Sequence, residues 1–463
     1  METSYSASVA TFVRTVTWDH IPEPVRIKAK QVVLDIIGVA LASSTMDFGH
    51  AVTHVARELG GPQVSRLIGT GDKVAAANAV LANGTLAHGL DYDDTLEEAI
   101  VHTGCCAVPS ALAVGEETHA SGRQVLEAAI AGMEVMSKVG LVAPGRFHAR
   151  AFHPTAICAP FAAVAAAGKL YGLEAPQLVD ALGICASQSG GIIEYLADGS
   201  WTKRLHPGWA IHGGVIATRL ARQGFSGPGS VFEGQHGLYV AFGGQGEYHR
   251  EHLFELGQTW EIPRFTFKSY PCGSISHPYM DCALRLRETH SLGPAELNTV
   301  DQIVCRTAEG PVHRLWEPLA DKRRPVTGYG AKFSLPYSIA VMLVMGRAGL
   351  EEFTDESIRN AEVLSIAERV SYELDPTIDY PRHFVGHVQI RFKNGRVLEE
   401  SQPHPRGGPE WPFEPDEIEA KFRANAGLVL KEEAIEKIVR LVNQLENLPD
   451  VAELSDAIAG GEG

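Results

Sequence analysis

Apolar residues recur at helical spacing through the first half of the chain. Pro22 and Pro24 open one such run, Val25 to Ser43, and others lie near 74–90, 105–119, 123–143, 155–171, 176–190 and 208–223. Many of these faces are built from alanine and glycine, as between Ala156 and Ala167. Small side chains let helix axes approach closely, so the pattern predicts a compact, mostly helical body.

The period changes near residue 260. Ile262 to Tyr270 alternates apolar and polar positions as a strand does, and Val300 to Arg306 repeats the pattern. Val388 to Phe392 and Val397-Leu398 flank Lys393-Asn394-Gly395-Arg396, and Asn-Gly between alternating runs predicts a hairpin closed by a type I′ turn. The Pro-rich stretch Gln402 to Pro415 reads as a linker, after which helical patterns return near 415–425 and 431–446. The expected fold is mainly α with an α+β part. A large all-helical domain takes residues 1–264 and 401–463, and a smaller α+β domain, 265–400, is inserted into it.

With 463 residues, 45% of them hydrophobic, the chain can fill a sizeable core. Lys and Arg total 40 against 56 Asp and Glu, a formal charge of −16, which disfavours nucleic acid and membrane partners. An anionic substrate therefore needs a local basic pocket. Met1 to Val16 lacks the basic and apolar regions of a signal peptide, and Thr155 to Gly168 is too short to span a bilayer. Seven cysteines form no CxxC pair, which suits reduced thiols and a cytoplasmic location. The same spacing argues against an iron–sulfur cluster, so the chemistry is expected to run on side chains with no cofactor.

Ile68-Gly69-Thr70-Gly71-Asp72-Lys73 lacks the third glycine and the GK[ST] of a phosphate loop and reads as a plain turn. Asn83 to Thr95 holds Asp91, Asp93 and Asp94, and carboxylates this dense must cap helices, face a cleft or bind something. No EF-hand pattern is present, so no metal is expected there and capping or acid–base work is favoured. His102 and His153 each close a loop ahead of an apolar helix, where a neutral imidazole is a usable acid or base. Two basic segments, Trp201 to Gly208 and Phe267 to Pro278, set lysines among apolar residues and glycines. They can clamp carboxylates, the alternative being structural ion pairs with Asp91, Asp93 or Asp94. No GxSxG elbow is present and Cys272 lies in no nucleophile signature, which argues against covalent hydrolysis.

Taken together, Ala87-His88 to Asp91-Tyr92-Asp93-Asp94-Thr95, Lys203 to His206-Pro207-Gly208, Lys268 to Tyr270-Pro271-Cys272-Gly273 with His277, and Ala331-Lys332-Phe333-Ser334-Leu335-Pro336-Tyr337 resemble the MmgE/PrpD family. That family includes 2-methylcitrate dehydratase, cis-aconitate decarboxylase and iminodisuccinate epimerase. The resemblance implies a helical domain, a smaller lid domain, a homodimer and an active site in the cleft between domains. Its pocket residues fall on Asp91, Thr95, His102, His153, Lys203, Lys268, His277 and Tyr337. On this footing Lys203, Lys268 and His277, with Thr95 and Arg204, hold carboxylates, Asp91, His102 and His153 move protons, and Tyr337 joins the catalytic set. The function implied is a metal-independent lyase acting on a small di- or tricarboxylate. Dehydration of a 2-methylcitrate-like substrate ranks ahead of cis-aconitate-type decarboxylation and of epimerisation of a dicarboxylate such as iminodisuccinate. A non-catalytic ligand-binding protein of the same fold is the rival from another class, and the complete set of chemically able residues argues against it.

Overall fold

The helix Glu23–Ser44 starts where Pro24 sits in the first turn, a place where a missing N–H costs no hydrogen bond. From Val32 to Ser44 it is buried on every side, so it is a core helix of its unit rather than a half-exposed one. In the computed structural model, which describes residues 4–460, the chain separates into two compact units. The first comprises 1–193, 202–265 and 413–463, and the second 194–201 and 266–412. The first three residues of the Met1 to Val16 stretch and the last three of the chain lie outside the described residues. Tyr5–Thr15 is a helix that the sequence pattern did not announce, capped by Ser4 and burying Val9, Ala10, Phe12 and Val13.

The first unit is helical. Its main elements are Ala76–His88, Gly104–Thr118, Gly122–Leu141, Pro154–Leu170, Ala175–Ala186 and Thr202–Arg222. Ser121 and Gln124 form a capping box at the start of Gly122–Leu141, and Pro154 opens the next helix. Gly84 and Gly208 bring Ala76–His88 and Thr202–Arg222 together. A Cβ on Gly84 would lie 3.0 Å from the Gly208 Cα, and one on Gly208 would overlap the Leu81 carbonyl and the Thr85 hydroxyl. This crossing sets the first turns of Thr202–Arg222 against the end of Ala76–His88. The short strands β1 (Ser65–Arg66) and β2 (Lys73–Val74) form a hairpin around the Gly69-Thr70-Gly71 loop. Gly69 and Gly71 donate their N–H groups to the carbonyls of Ile458 and Ala459 at 3.0 and 2.8 Å, so these amides hold the chain's final helix rather than a phosphate.

Ile262 to Tyr270 is not a strand. Ile262–Arg264 is a 3₁₀ turn, and the chain beyond it forms no named strand, with Phe267 donating its backbone N–H to the Gly407 carbonyl at 3.0 Å. Pro263 removes the donor that a ladder would need, which the alternation of side chains concealed. Among the described residues no single helix is long and apolar enough to cross a membrane.

The second unit carries a four-stranded sheet of order β4-β3-β5-β6, with β3 at Val300–Thr307, β4 at Val370–Leu374, β5 at Gly386–Phe392 and β6 at Val397–Gln402. β3 and β4 are parallel, and the crossover between them contains the apolar helix Leu335–Met345. Ile303 and Cys305 stand opposite Ile390 and Val388, and all four join the core with residues of His277–Thr289 and Leu335–Met345. The hairpin exists where expected, but its turn is not type I′. Only Gly395 has a positive φ, +84°, while its N–H bonds the Phe392 carbonyl at 2.9 Å and Phe392 bonds Arg396 at 2.9 Å. This is the three-residue loop in which a type I turn is followed by a left-handed glycine.

Candidate active site

In the first unit, Ala76–His88 ends at His88, which is completely buried. Two residues beyond Gly89, Asp91 takes φ +57°, a left-handed conformation that aspartate tolerates better than most residues. The turn sends three carboxylates to three partners. Asp91 forms a buried ion pair with Lys203, from the first turn of Thr202–Arg222. Asp93 accepts from His88 Nδ1 at 2.7 Å. Asp94 accepts from the Gly104 N–H at 3.0 Å and the Thr103 hydroxyl at 3.1 Å, so it caps Gly104–Thr118, and Gly104 leaves no room there for a Cβ. Burial, reinforced by Asp93, raises the Asp94 carboxyl to about 7 despite these donors.

The chain then folds back through the Leu96–Val101 bridge, which holds β-branched Ile100 at φ +55°, and delivers His102. The His102 Nδ1 lies 2.7 Å from the Asp94 carbonyl, which can only accept, so Nδ1 carries a proton, and in the neutral ring the lone pair then sits on Nε2. Thr95 places its hydroxyl 3.2 Å from the same Nδ1. By the same logic Asp93 fixes the proton of His88 on Nδ1, and His88 Nε2 is buried with no hydrogen-bond partner. His153 stands at the N-cap position of Pro154–Leu170, and its Nδ1 lies 3.1 Å from His206 Nδ1. The ring centroids of His88 stand 4.9 Å from His102 and 5.5 Å from His153.

Burial lowers the basicity of His88 and His153, with the Lys203 charge adding to the effect on both, and burial with the neighbouring His88 and Lys203 lowers His206 to about 4. These imidazoles are neutral at neutral pH. A histidine depressed in this way stabilises the fold above its unfolded pKa, about 6.5, and that stabilisation is lost as pH falls through the folded value. NMR of labelled histidine should therefore place the His206 midpoint near 4, and the stability difference between wild type and His206→Asn should change between pH 6.5 and 4. A His206 midpoint near 6.5 would contradict the arrangement.

Lys421, from Pro415–Ala426, ties the acidic turn down from behind. It donates to the Tyr92 carbonyl at 2.8 Å, pairs with buried Asp35 at 2.8 Å and lies 3.9 Å from the Tyr92 ring centroid.

Of the residues singled out in the sequence, the first unit brings Asp91, Thr95, His102, His153 and Lys203 into this neighbourhood. Arg204 stacks on Phe48, 4.2 Å from the ring centroid. Lys268, His277 and Tyr337 belong to the second unit. Lys268 is fully buried, and His277 opens His277–Thr289 with its ring edge-on to Tyr270 at 5.2 Å. The Tyr337 hydroxyl donates to the Glu352 carbonyl at 2.7 Å within the apolar core of that unit. Sequence reasoning missed His88, Asp93 as its partner, and His206. A histidine five residues before an aspartate, across a glycine-containing turn, is the signal that points to the first pair.

Residues 7–251 match the MmgE/PrpD N-terminal domain and residues 270–447 the MmgE/PrpD C-terminal domain. The chain is 26% identical over 478 residues to a cis-aconitate decarboxylase-like protein of Aspergillus oryzae, covering 99% of this chain and 98% of the relative. It is also 26% identical to the cis-aconitate decarboxylase of Aspergillus terreus over 472 residues, with 98% and 95% covered. The cis-aconitate decarboxylase of Mus musculus gives 26% over 474 residues, with 99% and 94% covered. With both family domains present in order across most of its length, the chain belongs to the MmgE/PrpD family.

Proposed function

We propose that the protein is a metal-independent lyase that moves a proton next to a carboxylate of a small di- or tricarboxylate. The observation that carries this reading is the buried Lys203–Asp91 pair set among imidazoles, two of which have their Nδ1 protons held by Asp93 and by the Asp94 carbonyl. A lysine held there offers preorganised positive charge to a carboxylate and to carbanion-like charge beside it. His102 and His153 then act as the proton carriers, and a bound polyanion stabilises their charged forms, so substrate arrival itself draws a proton into the cluster. Decarboxylation breaks a C–CO₂ bond, leaves its electron pair on the neighbouring allylic carbon and takes up one proton at carbon. That reaction is placed ahead of the dehydration favoured by the sequence alone because the whole-length relatives bear the name cis-aconitate decarboxylase. Dehydration of a 2-methylcitrate-like substrate stands second.

Incubation with a panel containing cis-aconitate, 2-methylcitrate and simple dicarboxylates, read for CO₂, alkene absorbance and carbon-bound deuterium in D₂O, tests the reading. Turnover of an unsaturated tricarboxylate with CO₂ release is expected, and it should persist in excess EDTA. Inertness towards the whole panel, or loss in EDTA that a divalent ion restores, would overturn it. The burial of all seven cysteines and the lack of any CxxC spacing fit a reducing, cytoplasmic setting. We also place the chain as a homodimer, on family grounds and on the exposure of Leu205 and Trp209 along Thr202–Arg222. Light scattering should give about twice 49.9 kDa, and a particle of 49.9 kDa would oppose this.

A further inference from the structure

We propose that His88, His102 and His153 form a binding site for a borderline divalent cation of the zinc type, which excludes the polycarboxylate by occupying the nitrogens its reaction needs. One ring nitrogen from each histidine lies within 4.8 Å of the other two, and all three residues are buried. A zinc ion with Zn–N bonds of about 2.0–2.1 Å asks for nitrogens about 3.4 Å apart, so modest ring rotations close the site. Histidine ligands of zinc characteristically donate their other N–H to a carboxylate or a backbone carbonyl. Both forms are present: His88 Nδ1 donates to Asp93 at 2.7 Å and His102 Nδ1 to the Asp94 carbonyl at 2.7 Å. His88 Nε2 is buried without a partner, a condition that proteins seldom tolerate and that a cation relieves.

The surrounding charges suit one added cation. Asp91 neutralises Lys203, while Asp93 supplies negative charge directly behind His88. A competing set of His88, Asp93 and Cys105 is geometrically available. It would require His88 to give up its bond to Asp93 and Cys105 to lose its proton in a buried, apolar place that strongly disfavours the thiolate. Three imidazoles with no hard oxygen ligand select Zn²⁺, Ni²⁺ or Cu²⁺ over Mg²⁺ and Ca²⁺. The cation-binding half of this inference stands on its own, whereas the exclusion of substrate rests on the proposed function.

Zinc titration of chelator-stripped protein against a chromophoric competitor should find one site per chain, and Co²⁺ should give the visible bands of a low-symmetry nitrogen site. His88→Gln and His153→Gln should remove that site, and Asp93→Asn should weaken it about 10- to 100-fold. Surface histidines bind alike in every variant, so the difference isolates the cluster. Wild-type protein without a saturable site, or with one equally strong in the histidine variants, overturns the binding half whatever the variants' stability. If binding is confirmed, zinc should inhibit turnover competitively with polycarboxylate, and EDTA should reverse it. Binding without inhibition, or turnover that zinc raises, overturns the exclusion half and leaves the binding half intact.

Discussion

Lys203→Met should cut kcat by about 10²- to 10³-fold, the scale expected when one preorganised electrostatic donor is removed. The same change should destabilise the protein, because Lys203 is 5% exposed and Asp91 only 1%, so the aspartate loses a buried counter-charge. Breaking such a pair costs about 3–5 kcal/mol, whereas replacing both partners is far milder. The double variant Lys203→Met with Asp91→Asn should therefore recover most of the melting temperature and none of the turnover. Melting curves and kinetics on the same preparations separate the two roles. A stable double variant that turns over at the wild-type rate would reduce Lys203 to a structural counter-ion. The sequence left these readings open, since a lysine that clamps substrate and one that pairs with aspartate look alike in one dimension.

His153→Gln should lower kcat by about 10²- to 10⁴-fold, the range for loss of a general acid or base. KM and melting temperature should change much less, since the backbone N–H of His153 donates to the Gly191 carbonyl at 2.9 Å and holds the start of the helix whatever the side chain. Exchange of substrate carbon-bound protons with D₂O should fall in parallel with kcat. A variant with normal kcat and a raised KM would instead make His153 a carboxylate binder, and normal values of both would remove it from the site.

The helical body was legible because its apolar periodicity and its starting signals agree, as at Pro24, Ser121 and Pro154. The hairpin β5–β6 was legible from Asn394-Gly395, but its turn type was not, because the same dipeptide serves two loop lengths. The alternation from Ile262 misled because it ignores backbone donors, and Pro263 lacks one. β4 escaped notice because it is short, grades from a buried Val370 to an exposed Leu374 and finds its parallel partner only across a long crossover. In the site, Asp91, His102, His153 and Lys203 stood in motifs dense enough to read singly. The coupling of His88 to Asp93, and of His153 to His206, depends on how loops fold back, and no local pattern encodes that. For Asp94 the sequence left capping and acid–base work both open, and it serves as a helix cap.

Lys421 has a consequence for biosynthesis. The acidic turn leaves the ribosome early, yet the ammonium that grips the Tyr92 carbonyl and neutralises Asp35 lies 329 residues further along the chain. Until that late segment is made, Asp35 lacks the Lys421 ammonium and the turn bearing Asp91 and Asp93 lacks the grip on its Tyr92 carbonyl. A chain that stops before Lys421 lacks both of these contacts, however complete its helical body is otherwise.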